Sequence, residues 1–343
     1  MNNNHAAAAQ PGNQLIEWAA DVPYGLSDLA SDIPEGYSSR TFVREDRIRC
    51  CVAHCNNWMA RRRRGQVTTD AVYCEEHGIS ISTAPTYIYR DYQRNFIVGR
   101  QAVAASTKVE RWRLGNETSE DALSWNAFVG LLKCGGLTQC FEALTGVVPS
   151  DEAELYMWGN RIVPGAAPSV FPDLLQVRSQ LEKGVGIPTE PDVILRVPGQ
   201  AIVLIEAKFG SPNGRFAGKE KRFGTVNNYL RRYFPKRDQD DPLNREWIAS
   251  QPPDRVLEQL CRNAVFAHWL ARDGERAFVV NLVDEKSETD VEKEFNYHLR
   301  PGPVTFFRRC WSDILELPVL QADEARPLRR YLKNKTLRLR KAF

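Results

Sequence analysis

The chain has 343 residues, 43% of them hydrophobic and 26% charged, with a net charge of +3, which is the profile of a soluble globular protein. That length is enough for two or three domains, or one large core with an accessory module. No apolar run is long enough to span a bilayer, and the polar, alanine-rich start lacks a secretory pattern, so an intracellular (cytoplasmic) protein with no membrane partner is expected.

Along the chain, residues 1–43 are weakly patterned and punctuated by Pro11, Pro23 and Pro34; a flexible start with one short helix near Gln14 to Ala20 is expected. Residues 44–80 are rich in cysteine and arginine, and residues 81–116 read as a connector. From Glu117 the pattern becomes that of an α/β domain reaching residue 322. Ala122, Leu123, Trp125, Phe128, Val129, Leu131 and Leu132 recur at helical spacing before Gly135-Gly136. Phe171 to Glu182 predicts a second helix, closed by Gly184. Asp192 to Val197 and Ala201 to Ala207 are apolar runs around the turn dipeptide Pro198-Gly199, a hairpin. Arg255 to Leu270 predicts an amphipathic helix, followed by strands at Ala277 to Val283 and Val304 to Phe307. The stretch from Ser211 to Pro253 is basic and aromatic and could face DNA, another subunit or the body of the domain. Residues 323–343 form a basic tail, suited to a polyanion or to a solvated surface.

Chemistry concentrates on the hairpin. Glu206 and Lys208 share a face at the end of its second strand, with Ala207 turned inward, and the turn returns them to Asp192. Two carboxylates and an ammonium then converge, a set suited to holding Mg2+ or Mn2+ through hard oxygen ligands. The bland reading makes Asp192 a turn cap and Glu206 with Lys208 a solvated edge pair; the apolar run before Glu206 argues against it.

Pro191-Asp192 followed by Glu206-Ala207-Lys208 resembles the PD-(D/E)xK signature of restriction-type and related repair and defence nucleases. The resemblance covers roughly residues 117 to 285. It implies a restriction-endonuclease-like α/β core, a mixed sheet flanked by helices, and Mg2+-dependent cleavage of DNA in restriction or phage defence. It also implies an acidic residue on the preceding helix. Glu120 is the candidate, with Glu117 and Asp121 nearby, unless it only favours the helix N-terminus through the dipole. A glutamine on the following helix would be Gln259, with Arg262 on its face, unless Gln259 is a surface residue.

The cysteines carry a second pattern. Eight cysteines in an intracellular chain do not suggest disulfides, and Cys134, Cys140, Cys261 and Cys310 read as small core residues. Cys50 and Cys55, then Cys74 and His77, have the spacing of a Cys3His site for one structural Zn2+, with Cys51 and His54 as competing ligands. This spacing is similar to a small treble-clef finger. Arg61, Arg62, Arg63 and Arg64 lie between the ligand pairs and would contact DNA phosphates, or else solubilise a loop. Three functions are therefore carried forward: a DNA endonuclease, a zinc-finger DNA-binding protein with an inactive nuclease-like domain, and an RNA-processing nuclease. A homo-oligomer or a partner defence protein fits the first.

Overall fold

The computed structural model describes residues 15–19, 33–34, 37, 42–62, 70–82, 86–106, 108, 111–182, 190–217, 224–233, 241–337 and 339–342. Three short strands, β1 (Val43–Arg44), β2 (Arg47–Arg49) and β3 (Trp58–Ala60), form an antiparallel sheet, followed by the hairpin β4 (Ile79–Ile81) and β5 (Tyr87–Tyr89). Helix α1 (Arg100–Ala105) lies in the connector. Helix α2 (Glu120–Lys133) starts where the Ser119 hydroxyl accepts from the Ala122 amide at 3.2 Å, and α3 (Leu137–Thr145) resumes after Gly135-Gly136.

A seven-stranded mixed sheet follows. It is built from β6 (Glu154–Met157), β7 (Asn160–Ile162), β8 (Ser169–Val170), β9 (Val193–Val197), β10 (Ala201–Ala207), β11 (Arg276–Val283) and β12 (Val304–Cys310). Their order is β12-β11-β10-β9-β6-β7-β8; β10 and β11, and β11 and β12, are parallel, and the other neighbours antiparallel. The helices around it are α4 (Pro172–Leu181), α5 (Val226–Tyr233), α6 (Arg245–Ser250), α7 (Glu258–Leu270), α8 (Val291–Asn296), α9 (Trp311–Leu315) and α10 (Arg326–Asn334). A last hairpin pairs β13 (Thr336–Leu337) with β14 (Arg340–Lys341).

Every residue of β9 and β10 is buried, because helices cover both faces of the sheet. Alternate residues feed two cores. Val203, Ile205 and Ala207 join α2, α3 and α10 on one side; Ile202 and Leu204 join α4, α5 and α7 on the other. The turn between β9 and β10 is of type II form: the Gln200 amide donates to Val197 O at 3.0 Å, and Gly199 takes φ +73° after Pro198.

Several expectations change. Leu15 to Ala19 is not helical: Leu15 and Ile16 lie in a turn, Trp18 bridges Val98, the Ala19 amide donates to Ile97 O, and Ile16 is buried, a pairing that outweighs local helix preference. The helix expected from Arg255 starts at Glu258, because Pro252-Pro253 holds a separate 3-10 turn. Gly184 lies outside the described residues. Cys140 and Cys261 are core residues, but Cys134 and Cys310 are only half-buried. Helix α3 and strands β6, β7 and β8 were not anticipated. In the aromatic stretch after Ser211, Phe216, Tyr229 and Ile248 pack into the core beside α7, so these side chains face the body of the domain; Phe223 and Phe234 lie outside the described residues.

The basic end of the chain is packed in. Leu328, Tyr331 and Leu332 enter the core with α2, while Arg326, Arg330 and Lys333 are exposed. Lys335 and Glu117 are both fully buried and form an ion pair at 3.7 Å, with the Lys335 ammonium also donating to Glu117 O. The Thr336 amide donates to the same carboxylate at 3.0 Å. Burial raises the Glu117 pKa, against the pull of Lys335 and the Thr336 hydrogen bonds. Removing one member of such a pair strands a buried charge. Lys335→Ala should therefore cost about 3–5 kcal/mol in urea unfolding. A loss below about 1 kcal/mol, the range of exposed pairs, would mean that the pair does not hold the C-terminal segment in place.

Candidate active site and metal centre

Ladder register brings the acidic residues together. One step beyond the last β9–β10 pair, Val193 with Ile205, Asp192 comes opposite Glu206. The Asp192 carboxylate accepts from the Ala207 amide at 3.0 Å. Glu206 and Lys208 are nearly buried, and their ions meet at 2.8 Å. From the other side, Glu120 opens α2 and reaches the Lys208 ammonium at 3.8 Å. Its carboxylate also accepts from the Phe209 amide at 2.7 Å and the Ser211 hydroxyl at 2.6 Å. It therefore clamps the loop that carries Lys208, beyond any role in capping its own helix.

Helix α7 supplies the opposite wall. The Gln259 amide donates to Glu206 Oε1 and accepts from the Gly214 amide at 3.1 Å. Asn263, one turn further on, donates to Glu206 Oε2 at 2.9 Å. Arg262, expected on this face, instead pairs with Glu258 at 3.8 Å. Behind Glu206, the buried Asn281 donates to its carbonyl at 3.2 Å and is paired with Asn213. Glu120, Asp192, Glu206, Lys208 and Gln259 line a cleft of about 600 Å³, together with Ile88, Lys108 and Arg113.

Lys108, from the connector, was not anticipated. It pairs with Asp121 at 2.9 Å and Glu190 at 3.7 Å, and lies 5.0 Å from the Trp158 ring centroid. Asp121 thus engages Lys108 rather than the Lys208 group, and Glu117 points to Lys335. The Lys208 loop has a backing of its own. The Trp311 indole donates to Lys208 O at 2.9 Å, and Lys335 lies over the Phe209 ring. Gly210 takes φ +86°, and a Cβ there would come within 2.6 Å of Leu337 Cδ1, so a side chain would be strained and would push Leu337 aside.

The electrostatics are uneven. Burial, then the charges of Glu206 and Asp121, hold Asp192 well above the ordinary carboxylate range, against the pull of Lys208 and Lys108. Burial acts to lower the Lys208 pKa, but Glu206, Asp192 and Glu120 outweigh it and leave the ammonium more firmly protonated than an ordinary lysine. A negative site that resists its own ionisation is one that a cation relieves.

The cysteine pattern forms a second centre. Cys50, Cys55, Cys74 and His77 present ligand atoms all within 4.8 Å of one another, and this is the only such group among the described residues. Cys55 and Cys74 sulfurs are 3.8 Å apart, and His77 Nδ1 lies 3.7 Å from Cys50 and 3.5 Å from Cys74. A zinc tetrahedron with Zn–S near 2.3 Å and Zn–N near 2.0 Å has edges of about 3.8 Å between sulfurs and about 3.5 Å from sulfur to nitrogen. The cluster can hold one zinc ion. Cys51 and His54, the competing ligands, are outside it. Burial and the neighbouring Cys50 and Cys74 push the Cys55 thiol up to about 12, despite the Asn57 amide, so the bare cluster retains protons that a metal would displace. Its ligands share one core with Ile48, Met59 and Ile79, and with α2. Arg61 is exposed and Arg62 half-buried just after β3; Arg63 and Arg64 lie outside the described residues.

No family model, curated protein or solved structure matches this chain. No helix among the described residues is long and apolar enough to cross a membrane.

Purified protein should contain one zinc per chain by elemental analysis, and Cys74→Ser should lose it together with the order of residues 42–62. A metal-free sample that melts like the native protein would remove the zinc site. The cleft makes a separate prediction about pH. Asp192 retains its proton above the ordinary carboxylate range, and cation binding needs the anion. Mn2+ affinity should therefore rise with pH, with proton release visible by calorimetry in buffers of different ionisation heat. Binding without proton release would take Asp192 out of the ligand set.

Proposed function

We propose that the chain is a metal-dependent nuclease of the PD-(D/E)xK type that hydrolyses DNA phosphodiester bonds, in a restriction or phage-defence setting. One observation carries this reading: at the open end of β10, Glu206 and Lys208 share a face opposite Asp192, and Glu120 reaches the same lysine. The donor chemistry fits a hard divalent cation, since all the candidate ligands are carboxylates and Asp192 resists charge in its absence. Asp192 and Glu206 would hold Mg2+ or Mn2+, which when bound supplies Lewis-acid stabilisation of the phosphate.

The protein's own groups do the rest. Gln259 and Asn263 fix both oxygens of Glu206, so its carboxylate keeps one orientation. Lys208, held protonated by three carboxylates, orients the attacking water and offsets the negative charge that builds up on the phosphate. Glu120 holds the Phe209 amide and Ser211, which keeps the ammonium at the strand end. The Asn281–Asn213 pair backs the Glu206 main chain against the floor of the sheet.

Supercoiled plasmid, linear duplex and single strands with and without added Mg2+ test the reading. Cleavage should require the cation. Asp192→Ala, Glu206→Ala and Lys208→Ala should each lower the rate by at least about a hundredfold. Lys208→Ala should still bind nucleic acid. Gln259→Ala, which frees Glu206 without removing a ligand, should cost about 10- to 100-fold. Cleavage that survives Glu206→Ala unchanged, or no cleavage of any nucleic acid by the native chain, would sink the proposal.

A further inference from the structure

The small sheet β1-β2-β3 has two unlike faces. Its register groups Val43, Ile48 and Met59, and Ile48 and Met59 are buried in the core that contains the zinc ligands. The opposite face carries Arg44 directly across from Arg47, and Arg49 directly across from Trp58. Arg44 and Arg47 are exposed, and Trp58 is 43% exposed.

Folding alone does not account for this face. Like charges directly opposite one another on neighbouring strands weaken a sheet. Glu45 and Asp46 lie in the intervening turn, yet among the described residues neither forms an ion pair with Arg44 or Arg47. The Asp46 carbonyl instead accepts from the Arg61 amide at 2.7 Å, which brings exposed Arg61 beside the same turn. Arg49, the register partner of Trp58, is fixed by hydrogen bonds to Cys55 O and Asn56 Oδ1, both 2.9 Å, and its guanidinium lies 5.9 Å from the Phe42 ring centroid. The indole makes no aromatic contact of its own among the described residues.

Cations in a row beside an open indole suit a polyanion that carries aromatic rings. We propose that this face binds single-stranded nucleic acid, with phosphates on Arg44, Arg47 and Arg61 and an unpaired base stacked on Trp58. In a duplex the base faces are covered by their neighbours, so only an unpaired base can lie flat on a ring presented by a sheet. The proposal rests on the nuclease reading only for the fate of the bound strand, because binding is measured without cleavage. The zinc cluster ties the face to the cleft: Cys50 follows β2, His77 precedes β4, and β5 contributes Ile88 to the rim.

The test uses the full, zinc-loaded chain in a Lys208→Ala background without added Mg2+, with a labelled oligo-dT and a labelled hairpin duplex read by fluorescence anisotropy. The single strand should bind more tightly. Trp58→Ala should weaken that binding at least about fivefold, and Trp58→Phe should restore most of it. Arg44→Gln with Arg47→Gln should flatten the slope of log affinity against log salt by about 1.4, or about 0.7 per lost phosphate contact on a single strand. The three substituted residues lie on the solvent side, so zinc content and melting should not change; the arginine pair decides the matter if Trp58→Ala fails to fold. Unchanged single-strand affinity and salt slope in both variants overturns the proposal. So does binding to vesicles of phosphatidylserine and phosphatidylcholine that depends on Trp58 while oligo-dT does not bind. Trp58-dependent oligonucleotide binding by a native chain that cuts nothing would uphold this face and remove the nuclease reading alone.

Discussion

A carboxylate at the end of a strand sealed on both faces must be satisfied by the protein around it. Glu206 is that group, and an unpaired charge at such depth would cost several kcal/mol. Lys208 supplies the counter-charge, and Gln259 and Asn263 supply the hydrogen bonds. Each partner brings its own element into place. Lys208 draws in Glu120 and the start of α2, and its carbonyl is held by Trp311 of α9. Gln259 anchors the Gly214 amide, and Asn281 on β11 holds the Glu206 main chain. Helices α2, α7 and α9, packed through the two apolar cores, each also place a polar group on this anion or on the lysine that balances it.

The zinc module belongs to the same body. Its ligands lie in the core shared with α2, and β5 lies against the segment that precedes that helix, where Ile88 bridges Asn116 and the Glu117 amide donates to Tyr87 O at 3.0 Å. A zinc ion held there would close the Cys50–Cys55 loop against Cys74 and His77, so its loss would be felt at the rim of the cleft through the β4–β5 hairpin as well as locally.

Sequence pattern revealed the hairpin, α2, α7 and β11 because their apolar periods are long and their turns carry Gly and Pro. The Cys3His group was equally visible, since paired soft ligands at short spacing have few other uses. Asn263 was missed because an asparagine inside a helix looks neutral until the carboxylate across from it is known; only its i+4 spacing from Gln259 hinted at a shared role. Lys108 has no local signature at all: its partners Asp121 and Glu190 belong to other elements. In the C-terminal stretch the arginines and lysines hid the apolar stripe of Leu328, Tyr331 and Leu332, whose i, i+3, i+4 spacing marked a buried helix face. Strands as short as β7 and β8 fall below what alternation can reveal.

The pairing of Lys335 with Glu117 joins residues 218 apart in the sequence. On the ribosome, the zinc ligands, the hairpin and α7 all emerge well before Lys335, Thr336 and Leu337 do. Until those residues arrive, Glu117 lacks the ammonium of Lys335, Phe209 lacks that cation above its ring, and Gly210 lacks the Leu337 side chain beside it. A nascent chain can therefore assemble its Cys3His cluster and most of its sheet while the loop carrying Lys208 still lacks this backing. Synthesis itself then sets the order of events, with the loop that carries Lys208 among the last parts to become rigid.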